Sequence, residues 1–172
     1  MMRLHRIIEQ LGLEPLPVEG GLFKQTYCAP ETIKREHLPD RYQVDKPMCT
    51  AIYYLLTADL DSFSALHKLP TAEIYHFYLG DPVELLQLLP DGSAESITLG
   101  QDILAGQKVQ HLVPQGVWQG SHLVPGGDFA LMGTTMAPGF TPEDYVGGIF
   151  NELAAHYPAQ TALIRQLTRD AD

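Results

Sequence analysis

The chain has 172 residues, 45% of them apolar, enough to enclose one ordinary hydrophobic core, so a single domain over residues 1–172 is expected. Its 11 Lys and Arg stand against 21 Asp and Glu, a formal net charge of −10, which repels a phosphate backbone and argues against a nucleic-acid partner. No run approaches the roughly 18 consecutive apolar residues of a spanning helix, and the opening MMRLHRIIEQLGLEPL is charged throughout where a signal peptide would be apolar, so a cytoplasmic protein without a membrane partner is expected.

In chain order, Leu4, Ile7, Ile8 and Leu11 form a helical stripe that Gly12 ends, predicting a short amphipathic helix that caps the core. From about residue 22 to 136 the texture is β: LFKQTYC, MCTAIYYLLT, SFSAL, EIYHFYL, VELLQLL, ESITL, KVQHLV, GVWQGSHLV and FALMGTTMA are short runs rich in Val, Ile, Tyr, Phe and Thr. PDGS at 90–93 and PGGD at 125–128 supply hairpin turns. Strands at this regular spacing predict an all-β sandwich or barrel, over about 18–140. The polar stretch 30–47 is expected to be a surface loop or arm. Cys28 and Cys49, in a chain without a secretory signal, are given no chemistry. Beyond APGF, Thr141, Pro142 and Asp144 read as a helix start, Asn151 as the cap of ELAAHY, and Pro158 as the first turn of a last helix carrying Leu163, Ile164 and Leu167. Helices are therefore expected over about 141–170.

Two spacings bear on function. His67 precedes Glu73 by six positions and Glu73 precedes Gly80 by seven, while PQGVWQ, Pro114 to Gln119, sets a Pro-x-Gly frame. Together they resemble the two motifs of the cupin barrel, with Leu69 and Gln119 at two positions that are normally histidine. VEGGLFKQTY, TAIYYLL, LPDGS, VPQGVWQG and APGFTPEDY narrow the resemblance to the branch called cupin superfamily 5, over about residues 10–168. This branch is related by fold to dTDP-4-dehydrorhamnose 3,5-epimerase-type cupins. The resemblance implies a double-stranded β-helix, or jelly-roll barrel, with short N- and C-terminal helices, a homodimer, and a small-molecule ligand inside the barrel. It also places Thr26 and Tyr27 near the pocket. The chain departs from its branch where Lys24 stands in place of an arginine, and a lysine does not reproduce the planar fork with which an arginine binds an anion.

A cupin metal site needs three or four ligands at about 2 Å. The positions kept are His67 and Glu73, with Gln119 as a weaker oxygen ligand, so a divalent metal is expected less than in metal-binding cupins and the cofactor stays undefined. His76 is the obvious replacement, but strand alternation puts Glu73, Tyr75 and Phe77 on one face and His76 on the other unless a bulge intervenes. Without metal, Glu73 inside an apolar barrel becomes a desolvated acid-base residue with His67 as its partner. Gln119 and Trp118 are a candidate substrate-orienting pair, Lys24 and His76 further ligand contacts, and Glu19-Gly20-Gly21 a turn. Three functions stay open: an isomerase or epimerase on a sugar-like or other polar substrate, a non-catalytic binding or sensing module, and a metal-dependent oxygenase with altered ligands.

Overall fold

The computed structural model describes residues 2–59 and 61–169; residues 1, 60 and 170–172, which include both ends of the expected domain and the last residue of the expected helical region, lie outside the described residues. Helix α1 (Met2–Leu11) leads into thirteen strands: β1 (Glu14–Pro15), β2 (Leu22–Cys28), β3 (Thr32–Ile33), β4 (Lys46–Pro47), β5 (Thr50–Thr57), β6 (Ser64–Lys68), β7 (Glu73–Gly80), β8 (Val83–Leu88), β9 (Ala94–Leu99), β10 (Gln110–Val113), β11 (Trp118–Leu123), β12 (Phe129–Met136) and β13 (Val146–Gly147). Helices α2 (Phe150–His156) and α3 (Thr161–Gln166) follow. The strands form a six-stranded sheet ordered β1-β2-β5-β12-β7-β10, a five-stranded sheet ordered β13-β6-β11-β8-β9, and the separate pair β3-β4. All these ladders are antiparallel, and the two large sheets face each other as a jelly roll.

Alternation along each strand sorts its residues into layers. Tyr54 and Leu56 of β5, Tyr75 and Phe77 of β7, Val83 and Leu85 of β8 and Met132 of β12 meet in the core between the sheets. The opposite faces are covered by helices. Leu55 and Leu131 pack with Leu4, Ile7, Ile8 and Leu11, so α1 covers the outside of the six-stranded sheet and does not cap the barrel core. Leu66, Leu86, Leu88 and Trp118 pack with Leu153, Tyr157, Ile164 and Leu167, so α2 and α3 cover the five-stranded sheet. Asn151 is not a cap: α2 begins at Phe150, with Ile149 in the cap position, because Gly148 is already tied to the Leu66 carbonyl (2.6 Å). The expected last helix also divides, into a tight turn at Pro158–Gln160 and then α3.

The arm over 30–47 folds onto its own chain. Tyr42, 1% exposed, hydrogen-bonds Thr71 through its hydroxyl (2.9 Å). The Lys46 ammonium, fully buried, donates to Thr141 Oγ1 (2.9 Å) and forms an ion pair with Asp144. Asp144 also accepts from the Thr141 N–H (3.0 Å), so one carboxylate fixes both the arm and the turn at Pro142–Asp144. No helix among the described residues is long and apolar enough to cross a membrane.

Candidate functional site

A cavity of about 570 Å³ opens between the sheets, walled by Leu16, Phe23, Ile52, Leu69, Met136 and Phe140. Into this apolar space project Glu73 from β7, Thr134 from β12, His67 from β6 and Glu19 from the β1–β2 loop, with Lys24 and Glu14 on its exposed side. Glu73 comes from the inward face of β7, together with Tyr75 and Phe77, as alternation requires. Gln119 reaches it from the facing sheet: its Nε2 donates to Glu73 Oε2 (2.8 Å), and both residues are buried. Burial raises the Glu73 pKa, because it costs most to the ionised form; the charge of His67 opposes this, that of Glu19 adds to it, and hydrogen bonds from Thr134 and Gln119 lower it.

His67, 1% exposed, is held on two sides. Its Nδ1 lies 2.8 Å from the Ala65 carbonyl oxygen, which can only accept, so Nδ1 carries the hydrogen and Nε2 is the ring nitrogen left for chemistry. Tyr145 stacks on the ring (5.2 Å between centroids, 18° between planes). A bulge sets the position of this wall. Against β11, Gln119 pairs with His67 but Ser121 pairs with Ser64, so β6 carries an extra residue there and both His67 and Ser64 face inward. Gly120 lies against the bulge, where a Cβ would stand 3.1 Å from the Ser64 carbonyl oxygen.

Glu19 is a cavity residue that reading the stretch as a turn missed. Its loop holds three positive φ angles, at Val18 (70°), Gly20 (102°) and Gly21 (71°), and for a β-branched residue that conformation is strained. The loop is fastened from several directions. The Ala65 N–H and Arg169 Nε donate to the Glu19 carbonyl (2.8 and 3.3 Å), the Tyr54 hydroxyl donates to the Gly20 carbonyl (3.0 Å), and a Cβ on Gly20 would stand 2.5 Å from the Phe63 oxygen. Ser64 Oγ then donates to Glu19 Oε1 (2.8 Å). Thr134 and Tyr145 were missed as well. Alternation along FALMGTTMA could have found Thr134, the polar member of the inward series Ala130, Met132, Thr134 and Met136; no spacing marks Tyr145.

Of the residues expected at the site, Glu73, His67, Gln119 and Lys24 are brought together; Trp118, Thr26, Tyr27 and His76 are not. Trp118 cannot act beside Gln119, since neighbours on a strand face opposite ways: it lies against the C-terminal helices, with the Lys68 ammonium over its ring (4.7 Å). Thr26 is the extra residue of a bulge, because Gln25 pairs with Ile52 and Tyr27 with Ala51; its hydroxyl bonds the Ala51 carbonyl (3.1 Å), and Tyr27 is 51% exposed. A bulge does interrupt β7, but at Tyr78, past His76, so it does not turn His76 inward. His76 bonds Thr135 (3.2 Å) and Gln110 (3.3 Å) on the outer face.

The donor set does not fit the divalent ion of metal-binding cupins. Among the described residues no three His, Cys, Asp or Glu side chains gather to hold an ion. Leu69 presents carbon to the cavity, and Gln119 turns an N–H, not its oxygen, toward Glu73. Its Oε1 is buried without a partner.

Comparison with known proteins gives the arrangement a family. The chain is 33% identical over 135 residues to the uncharacterized protein YML079W of Saccharomyces cerevisiae, an alignment covering 74% of this chain and 66% of the yeast protein, just under two thirds of its length. A hypothetical protein from Leishmania major superposes with a TM-score of 0.84 at 25% identity, over 96% of this chain and 98% of that one. Protein SO0799 from Shewanella oneidensis superposes with a TM-score of 0.82 at 29% identity, over 96% of each chain. Residues 5–146 match the family model described as Cupin superfamily (DUF985), so the jelly roll with its carboxylate-lined interior belongs to that cupin family.

Proposed function

We propose that the cavity is the active site of an isomerase or epimerase acting on a small polar carbonyl compound. Glu73 carries this reading: a buried carboxyl, steered by one amide, bordering an apolar space large enough for a sugar-sized molecule. Burial raises its proton affinity, toward the range where a carboxyl both takes and returns a proton. In the proposed step Glu73, ionised, removes a proton from the carbon beside the substrate carbonyl, and the C–H electron pair moves onto the carbonyl oxygen as an enolate. His67 Nε2 faces the same cavity as a second proton carrier. If Glu73 returns the proton, the carbonyl and the starting enzyme are restored directly; if His67, as imidazolium, delivers it to the opposite face, Glu73 then releases its proton to solvent and His67 takes one up, so the cycle closes and no oxidant or reductant enters. The Gln119 amide holds the carboxylate in one orientation throughout.

The test is solvent exchange. The protein is incubated in D₂O with hydroxy-aldehydes, hydroxy-ketones and amino sugars, and deuterium at the carbon beside the carbonyl is read by NMR. At least one compound should exchange, with Glu73→Gln slower by about 100-fold or more, as expected for loss of an acid-base residue. Exchange by neither protein, or equally by both, overturns the reading; a compound bound without exchange would indicate a binding module.

A further inference from the structure

Among the described residues, the interior of the cavity holds two carboxylates, no Lys or Arg, and the His67 imidazole as its one basic group. Glu73 and Glu19 both line it, and among the described residues no Lys, Arg or His nitrogen comes within ion-pair distance of either. Arg169, next to the Glu19 backbone, gives its N–H groups to main-chain oxygens of Glu19, Asp61 and Phe63. Lys24 is the cationic residue of the lining, and it is solvent-exposed on β2. Glu19 Oε1 takes one hydrogen bond, from Ser64, which leaves the second oxygen open to a ligand. Gln119 Oε1, turned away from Glu73, is buried with no donor and lies outside the cavity lining, so Glu19 is the acceptor that a ligand can reach. A half-buried carboxylate is costly unless something of opposite charge or rich in donors meets it. This loop carries a strained Val18 to hold Glu19 there.

We infer that Glu19 is the recognition residue for a protonated amine on the ligand of this cavity. This rests on the cavity being the ligand site of the proposed function and adds the class of ligand: a small, sugar-sized compound with a primary ammonium. The ammonium meets the free oxygen of Glu19, and Glu73 remains available for proton transfer. An anionic ligand, such as a sugar nucleotide, would meet two carboxylates and is rejected. Specificity then lies in a residue outside both cupin motifs.

The experiment is a binding screen that needs no turnover. Matched sets of sugar-sized compounds differing at one position, with amine, hydroxyl or carboxylate (glucosamine, glucose and glucuronate as the first set), are tested by ligand-observed NMR. The proteins are wild type, Glu19→Gln and, as a charge control on the exposed face of α2, Glu152→Gln. Glu19→Gln keeps the hydrogen bond to Ser64 and should fold, which its melting temperature checks. Amine members should bind best, and Glu19→Gln should bind them about tenfold more weakly, the loss expected of one charge-assisted contact, while Glu152→Gln binds as wild type does. Binding dominated by carboxylates, amine binding unchanged in Glu19→Gln, or no binding by any member overturns the inference. Amine binding without deuterium exchange keeps this inference and sinks the isomerase; Glu73-dependent exchange with anionic ligands does the reverse.

Discussion

A buried carboxyl costs the fold more when it is ionised than when it is protonated, and for Glu73 this difference can be read from stability. Its folded pKa is raised above the ordinary 4.5, with desolvation the largest cause. Below that ordinary value the group is protonated in both states and there is no penalty. As pH rises toward the folded pKa, the unfolded chain releases the proton first, so the native state loses stability progressively; above the folded pKa the loss is complete. Urea unfolding of wild type and Glu73→Gln should therefore converge near about pH 4 and separate as pH increases, with the variant the more stable near neutrality. The groups facing Glu73 are His67, Glu19, Tyr75, Thr134 and Gln119. If the same pH slope persists in Glu73→Gln, it does not come from Glu73 and the assignment fails. Gln119→Leu offers a second check: loss of the donor should move the Glu73 carboxyl titration, followed by ¹³C NMR, further upward.

Elements place these side chains through departures from regularity, and those departures decided which positions could be read from the sequence. The strand pattern was legible: β2 spans the residues expected, and the alternation that put Glu73 inside and His76 outside holds. Bulges and loops were not, because one extra residue inverts the facing of every later residue in its strand and leaves no mark in composition. The placement of Thr26 near the pocket came from the resemblance, which does not carry the bulge that sets this residue outside the ladder, and Glu19 was overlooked because a loop residue's direction depends on φ values, not on a period. The strain in that loop is measurable. Val18 is 69% exposed, so Val18→Asn, which tolerates positive φ far better, should stabilise the protein by about 1 kcal/mol in urea unfolding. No gain, or a loss, would mean the branched side chain is not strained there. The arm provides a contrasting test, since Lys46 and Asp144 are 0% and 4% exposed. Lys46→Met leaves Asp144 buried without its cation and should cost about 3–5 kcal/mol; a cost below about 1 kcal/mol would show that the pair is not what holds the arm.

Across the whole molecule, polar side chains join the two sheets through the barrel interior: Glu73 of one bonds Gln119 of the other, and Glu19, on the loop before β2, bonds Ser64 of β6. A barrel that places charge between its sheets must satisfy it with protein donors, a metal or a ligand. Spacing alone could not choose among these, because His67 and Glu73 stand where a metal-binding barrel has them and the deciding facts are the direction of the Gln119 amide and the burial of Leu69. An imidazole and one carboxylate oxygen already engaged by an N–H form an incomplete ligand set for any first-row divalent ion, whose sites take three or more protein donors. Protein purified without a metal-binding tag should therefore carry well under one equivalent of zinc, iron, manganese, cobalt or nickel by elemental analysis. A chelator should leave its melting temperature unchanged, since an ion bound only to the folded state would add stability that chelation removes. Near-stoichiometric metal that is lost in His67→Ala would mean that Gln119 turns its buried Oε1 inward to complete a third ligand. Glu73 would then hold an ion instead of carrying a proton.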